Sequence, residues 1–545
     1  MTYSRRLAPL AAILFGACQH QRPSATPAPA APAVASGFTV QMSANANPQK
    51  APAIGWQLFD QETDHVPGIG VRRAWHDLLT DRPLQTPVLV AIIDAGIDTG
   101  HTELHDILWT DPAAPHTHGW NFIGGANGQD VNQDTYELTR LGVRCAHHDP
   151  LPDPWAARCP ELKTALANKR QEAFLVMKGA EDFDARFDRA MAVLQHALGD
   201  SVNTAAVRAL HPTDSATANA QKFYLSLSNG GVPVEFARGL MDGLALQRKT
   251  QLTYQLDTTF DPRSIVGDHY ADVNESAYGN ADVMGPSPMH GTHVAGIIAT
   301  SRRDGQGLVG IAPARIMMIR AVPDGDERDK DIANAIRFAV DHGARVINMS
   351  FAKPYSPEKP AVDAAVRYAA AHDVLLVHAA GNDGANVDEH PTFPMAAYAD
   401  SGRAPNWIEV GASSPQGGDH LAAPFSNYGH SRVDVFAPGV DIYSTLPGNA
   451  HGGESGTSMA APVVTGLAAL LLDYYPKLTA VQLRRIILSS ATRFPSQMVV
   501  RPGSDTARVA FDSLSATGGI VNAYAALKMA AVCDQPGHAA AVCPF

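Results

Sequence analysis

Four short runs, Val88 to Ile93, Ile316-Met317-Met318-Ile319, Val346-Ile347-Asn348-Met349 and Val374-Leu375-Leu376-Val377, are almost unbroken stretches of apolar and β-branched residues. A strand that turned one face to water would alternate polar with apolar positions. Continuous runs of this length instead suit strands buried on both faces of a parallel sheet. Between them lie stretches with helical spacing, such as Ile332 to His342, which ends at Gly343, where a helix C-terminal cap is expected. Strands alternating with helices predict an α/β fold, a three-layer α/β/α arrangement around a mostly parallel central sheet.

Three segments on this framework carry chemistry. The first apolar run ends in Ala91-Ile92-Ile93-Asp94-Ala95-Gly96-Ile97-Asp98, a second segment reads His290-Gly291-Thr292-His293-Val294-Ala295-Gly296, and a third reads Glu454-Ser455-Gly456-Thr457-Ser458-Met459-Ala460-Ala461-Pro462. A serine hydroxyl is a weak nucleophile unless an imidazole takes its proton and a carboxylate orients that imidazole. The segments supply all three groups. A helix is expected from near Ser458 through Leu470, which places the serine at a helix N-terminus where N–H groups and the dipole favour negative charge. Taken alone, Asp94 could be a strand-end turn residue, and His-Gly-Thr-His could ligate a metal, although the glutamate of a zinc-peptidase helix is missing.

The order Asp, His, Ser is that of subtilisin, against His-Asp-Ser in chymotrypsin and Ser-Asp-His in α/β-hydrolases. The three segments resemble the signatures of subtilisin-like serine peptidases. A fourth run, Ala379-Ala380-Gly381-Asn382-Asp383-Gly384, resembles that family's oxyanion-hole segment and lies between His and Ser as the family requires. The resemblance extends over roughly residues 53–108 and 262–529. It implies a serine endopeptidase with Ser458 as nucleophile, His290 as base and Asp94 as the group orienting it; a processing protease dedicated to one exported partner, or an inactive tethered binding protein of the same fold, are the alternatives. The oxyanion would be held by the Asn382 amide and the Ser458 N–H, with Thr457 as a further candidate donor. His293 is then a packed or capping residue and Asp98 a structural carboxylate. The resemblance also implies that Ser350, Phe351 and Ala352 pair with an extended substrate, and that Ala379, Ala380 and Gly381 line the first specificity pocket. Ala352 stands where the family commonly has Gly, which narrows that pocket. No acidic residue is assigned to it.

The stretch between Asp94 and His290 is much longer than in compact subtilisins. Glu161 to Leu198 and Val234 to Gln255 are rich in helix formers with recurring apolar positions. Three or four helices are expected, forming an insertion over residues 111–261 within a peptidase domain at 53–529. Gly119-Trp120-Asn121-Phe122 and Tyr278-Gly279-Asn280 resemble segments of bacterial membrane-associated members of the family that carry such insertions.

The first residues read as an export signal: Arg5 and Arg6, an apolar stretch from Leu7 to Phe15, then Gly16-Ala17. Phe15-Gly16-Ala17-Cys18 resembles a bacterial lipobox, which implies acylation of Cys18 and a cell-envelope lipoprotein at the outer membrane; ordinary cleavage after Ala17 and secretion is the other reading. Residues 1–18 would be the signal and 19–52 a Pro/Ala-rich linker unable to form a core. Apart from Cys18, four cysteines remain, and local pairing of Cys145 with Cys159 and of Cys533 with Cys543, in a tail at 530–545, is the simplest of three connectivities. Four free thiols are the alternative.

The formal charge of −12 and a pI near 6.0 give no basic footprint for nucleic acid. Partners are instead a peptide or protein substrate and, through the lipid anchor, a membrane. No cofactor and no metal is expected, calcium being left open as an ion for which the sequence offers no support. The family's calcium loop is replaced by Ser301-Arg302-Arg303-Asp304-Gly305-Gln306-Gly307, and acidic loops such as Asp324-Gly325-Asp326-Glu327 read as solvated surface.

Overall fold

The computed structural model describes residues 53–83, 87–228, 233–301 and 309–533. The proposed signal, Cys18, the linker at 19–52, most of the 301–307 loop and Cys543 lie outside the described residues.

Thirteen strands are described: β1 (Leu89–Asp94), β2 (Gly119–Asn121), β3 (Arg315–Arg320), β4 (Val346–Met349), β5 (Leu375–Ala379), β6 (Trp407–Ser413), β7 (Val435–Pro438), β8 (Ile442–Leu446), β9 (Ala450–Glu454), β10 (Thr492–Arg493), β11 (Met498–Val500), β12 (Arg508–Ala510) and β13 (Gly519–Ile520). Nine of them form one sheet in the order β10-β13-β7-β6-β5-β4-β1-β3-β2. Every pairing in it is parallel except β10 with β13.

The two-residue period of a strand sorts its side chains into two cores, one on each face of the sheet. Val90, Ile92, Ile316, Met318, Leu375 and Val377 enter the core shared with the helices Met289–Ile298, Thr457–Tyr474 and Ala480–Ser489. Ala91, Ile93, Met317, Ile319, Ile347 and Leu376 enter the core shared with Asp329–Asp341 and Lys359–Ala371. This is a three-layer α/β/α fold. The helix Thr457–Tyr474 is apolar and long enough to cross a bilayer, but 89% of it is buried inside the protein. Its hydropathy reflects a core position.

The helix expected from Ile332 begins at Asp329. The charged residues of its first turn, Asp329, Lys330 and Asp331, are all buried. Each has a partner: Asp329 pairs with Lys353, Lys330 with Asp268 and Glu275, and Asp331 with the fork of Arg263. A buried charge is tolerable only when paired in this way.

By its internal contacts, residues 138–260 form a compact helical unit of their own. It contains the 40-residue helix Cys159–Leu198, together with Thr204–Ala209, Ser215–Ser228 and Val234–Thr250. Its core gathers Phe183, Phe187, Leu194, Val207, Phe223, Tyr224 and Met241. Cys145 and Cys159 are disulfide-bonded, joining the helix Glu137–His147 to the start of the long helix. Residues 111–137, expected within the insertion, belong to the sheet-bearing unit. Gly119–Asn121 adds an edge strand beside β3, a three-residue element too short to announce itself by periodicity.

Candidate active site

The sheet order reverses next to β1: the chain passes from β1 to β3 on one side and then returns to place β4 on the other. Open α/β sheets bind ligands in the crevice at the carboxyl ends of strands where the order reverses. Asp94 ends β1, Ser350 follows β4, and Gly381 and Asn382 follow β5. A cleft of about 380 Å³ opens there, lined by His290, Ser458, Asn382, Ser350, Phe351, Ala352, Ala379 and Gly381 among others.

Asp94 is buried behind His290, and both of its carboxylate oxygens lie 2.8 Å from His290 Nδ1. The imidazole is therefore held with Nδ1–H toward Asp94, which leaves Nε2 as the proton acceptor. The glycines of two motifs make this approach possible. A Cβ on Gly291 would stand 2.2 Å from the Gly96 carbonyl oxygen, and one on Gly96 would stand 2.1 Å from that of Met284. Asp98 faces elsewhere, accepting from Gly100 N–H at 2.9 Å and Gly448 N–H at 2.8 Å.

Ser458 occupies the second position of the helix Thr457–Tyr474, whose first-turn N–H groups have no partner within the helix. Pro462 lies four residues on and has no N–H to give the Ser458 carbonyl. The Ser350 hydroxyl donates to that carbonyl instead, at 2.9 Å, and itself accepts from Asn348 Nδ2 at 3.0 Å. Thr465 Oγ1 in turn donates to Asn348 Oδ1 at 2.9 Å. The helix that carries Ser458 is thereby fixed to the end of β4. Ser458 Oγ donates to the Ser350 carbonyl at 3.1 Å.

Asn382 Oδ1 accepts from Thr457 N–H at 2.8 Å and Thr457 Oγ1 at 2.9 Å. A backbone N–H can only donate, so the amide oxygen must face Thr457 and the Nδ2 donors are left for another acceptor. Thr457 thus orients Asn382, and both donors of this further oxyanion candidate, its N–H and its hydroxyl, are already engaged.

His293 is fully buried, with Nε2 3.2 Å from the Gly452 carbonyl. Burial pushes its imidazole down from the usual 6.5 to about 3, with a smaller contribution from nearby His290. Between these values the unfolded chain binds a proton that the folded protein does not. This contribution to stability is complete above pH 6.5 and is lost as pH falls toward 3. A urea-unfolding series from pH 7 to 4 should show stability falling by up to about 1.4 kcal/mol per pH unit from this residue. His293→Asn should flatten the slope, and identical slopes would contradict the assignment.

One expected pocket residue is placed differently. Strand alternation at the end of β5 turns Ala379 and Gly381 to the cleft but Ala380 into the core with Val387, Phe436 and Phe511. Four carboxylates also line the cleft: Asp383 and Glu454 from the Asn382 and Ser458 segments, and Asp324 and Glu327 from the loop expected to be solvated surface, in which Asp326 and Glu327 are instead buried. Glu327 is fully buried, which pushes its carboxyl up to about 8. Lys353, at the end of the Ser350–Ala352 segment, is buried and pairs with Glu137 at 3.1 Å and Asp329 at 2.8 Å. Its backbone exchanges hydrogen bonds with Phe393, holding that segment in place. Among the described residues no three His, Cys, Asp or Glu side chains converge as a metal site would require.

A buried carboxylate fixing an imidazole, a serine at the N-terminus of a core helix and an aimed asparagine amide, at the carboxyl edge of a parallel sheet, define a serine-nucleophile hydrolase site of the α/β class. The sequence profile of the subtilase family matches residues 85–515, and the chain belongs to that family. It is 46% identical over 184 residues to a thermophilic serine proteinase of Bacillus sp. (strain AK1), covering 33% of this chain and 42% of that protein. It is 37% identical over 216 residues to subtilisin of Bacillus pumilus, covering 39% of this chain and 74% of that one. A protease structure from Pseudoalteromonas arctica covers 88% of the chain and is itself 98% covered, at 20% identity and a TM-score of 0.45.

Proposed function

We propose that the protein is a serine endopeptidase acting outside the cytoplasm. The carrying observation is the bidentate approach of Asp94 to His290 Nδ1, in the same cleft as Ser458 and Asn382. With an extended peptide in the cleft, Ser458 Oγ turns from the Ser350 carbonyl to His290 Nε2, a hydrogen bond that commonly tightens only when substrate is bound. Oγ attacks the acyl carbon as its proton passes to His290. The oxyanion takes hydrogen bonds from Asn382 Nδ2 and the Ser458 N–H, and His290 then delivers the proton to the leaving amine. Water repeats the sequence on the acyl-enzyme. Every proton and charge in these proposed steps is handled by these side chains and the Ser458 N–H.

The Ser350–Ala352 segment would pair with the substrate main chain, and Ala379 and Gly381 would flank the side chain before the scissile bond. Acylation at Cys18, followed by a Pro/Ala-rich spacer, would hold the peptidase off a membrane. In an envelope-competent bacterial host, the full chain should sediment with membranes and cleave an unfolded protein substrate. Ser458→Ala should abolish cleavage while leaving sedimentation intact, and Cys18→Ser should do the reverse. Cleavage that survives Ser458→Ala would refute the catalytic reading.

A further inference from the structure

We propose that Lys353 is a positioning residue that sets the spacing of the cleft for an extended peptide, by tying one wall of the cleft to another. The inference rests on the peptidase reading above and adds to it a residue on which substrate binding depends. Two segments that line the cleft come from different strands: Ser350 to Lys353 follow β4, whereas Asp324, Gly325 and Glu327 follow β3. Lys353 belongs to the first by its backbone and reaches the second with its side chain. Its N–H donates to the Phe393 carbonyl at 2.9 Å and its carbonyl accepts from the Phe393 N–H at 2.8 Å, which fixes the first segment. Its Nζ donates to the Glu327 carbonyl at 2.8 Å, which fixes the second.

An ammonium has three donors, and acceptors from three separate segments meet this one: the Glu327 carbonyl, Glu137 Oε2 at 3.1 Å and Asp329 Oδ1 at 2.8 Å. Lys353 and Glu327 are both buried, so water does not replace these partners. The other end of the second segment is held separately. Asp324 N–H donates to the Asn132 carbonyl at 2.8 Å, and the Asp324 carbonyl accepts from Asp134 N–H at 2.9 Å. The Glu327 end is held by Lys353.

Buried ion pairs contribute little net stability compared with apolar side chains of the same volume, and a fixed register is their best-attested use. What is fixed here is the space beside Ser350–Ala352, into which a substrate main chain would fit. Ladder hydrogen bonds need a neighbouring strand at about 4.7–4.9 Å, so a wall that shifts lets them lengthen. The wall acts on the bound main chain in the ground state and the transition state alike. Its release should therefore raise KM and leave kcat nearly unchanged.

Four full-length proteins test this: wild type, Lys353→Met, Lys353→Met/Glu137→Gln and Glu137→Gln. Each is assayed on an internally quenched octapeptide and, as control, with a small fluorophosphonate that reaches Ser458 without filling the cleft. Lys353→Met should raise KM by about tenfold or more, with kcat and the labelling rate within about threefold of wild type. The double variant removes one charge of each sign and leaves Asp329 with the Ser356 hydroxyl at 3.0 Å and the Glu358 N–H at 2.8 Å. Its thermal stability should recover while its KM stays high. Glu137→Gln keeps the contact to the Glu327 carbonyl, so its KM should stay within about threefold of wild type. The proposal is overturned if KM recovers with stability, if Glu137→Gln raises KM as much as loss of the lysine, or if peptide cleavage and labelling fall in parallel. Failure of both Lys353 variants to fold would assign the residue a purely structural role and overturn it as well. A wild-type protein that cleaves no peptide would remove the peptidase reading too, whereas cleavage with a KM insensitive to Lys353 overturns this inference alone.

Discussion

Asp94→Asn is expected to lower kcat by about 10⁴-fold, with little change in KM. The carboxylate reaches His290 Nδ1 with both oxygens and lies behind the imidazole, away from the surfaces that line the cleft. An asparagine of the same shape can turn an NH₂ toward Nδ1. That stabilises the tautomer with its proton on Nε2, which cannot accept from Ser458, and removes the negative charge that balances the imidazolium. The equivalent change in trypsin costs about 10⁴ in kcat, and loss of the aspartate in subtilisin, a relative of this protein, costs about 3 × 10⁴. The loss corresponds to about 5–6 kcal/mol of transition-state stabilisation. Steady-state kinetics on a peptide substrate, with circular dichroism to confirm folding, checks it; a loss below tenfold would show that His290 is oriented by something else.

The second large effect is expected at Asn382. Replacement by Ala should reduce kcat by about 10²–10³-fold, the cost measured for the matching donor in subtilisin. KM should again change little, because an oxyanion donor serves an oxygen that becomes fully charged only in the transition state. The orientation of the amide is dictated by Thr457, whose N–H and hydroxyl both hold Asn382 Oδ1. Asn382→Asp would keep the accepting oxygen and remove the donor, so it should be at least as damaging as Ala. Parity of Asn382→Asp with wild type would exclude an oxyanion role.

The parts of this arrangement that could be read from sequence are those where one local pattern dictates structure. The apolar runs of β1, β3, β4 and β5 suit a doubly covered sheet, and the run after Ser458 suits a buried helix. The Gly residues of the His290 segment and of Asp94-Ala95-Gly96 mark a backbone contact, which is why the two motifs come together. What could not be read depends on partners distant in sequence. Asp329, Lys330 and Asp331 are buried because Lys353, Arg263 and Asp268 neutralise them, and no local signal distinguishes them from surface charges. Glu454 faces the cleft because of the β8–β9 register, and Ala380 faces away because of strand alternation past β5. Thr457 is engaged by Asn382, which reaches it from another strand end. The start of the helical unit at Leu138 was masked by a three-residue strand that joins the sheet before it.

Reaction of the full-length protein with a fluorophosphonate probe, followed by mass mapping of the adduct, tests the central claim most directly. Activation of one serine by the Asp94–His290 pair predicts a stoichiometric adduct on Ser458, absent in Ser458→Ala and strongly slowed in Asp94→Asn. Folded protein that remains unlabelled, or an adduct on any other residue, would contradict it.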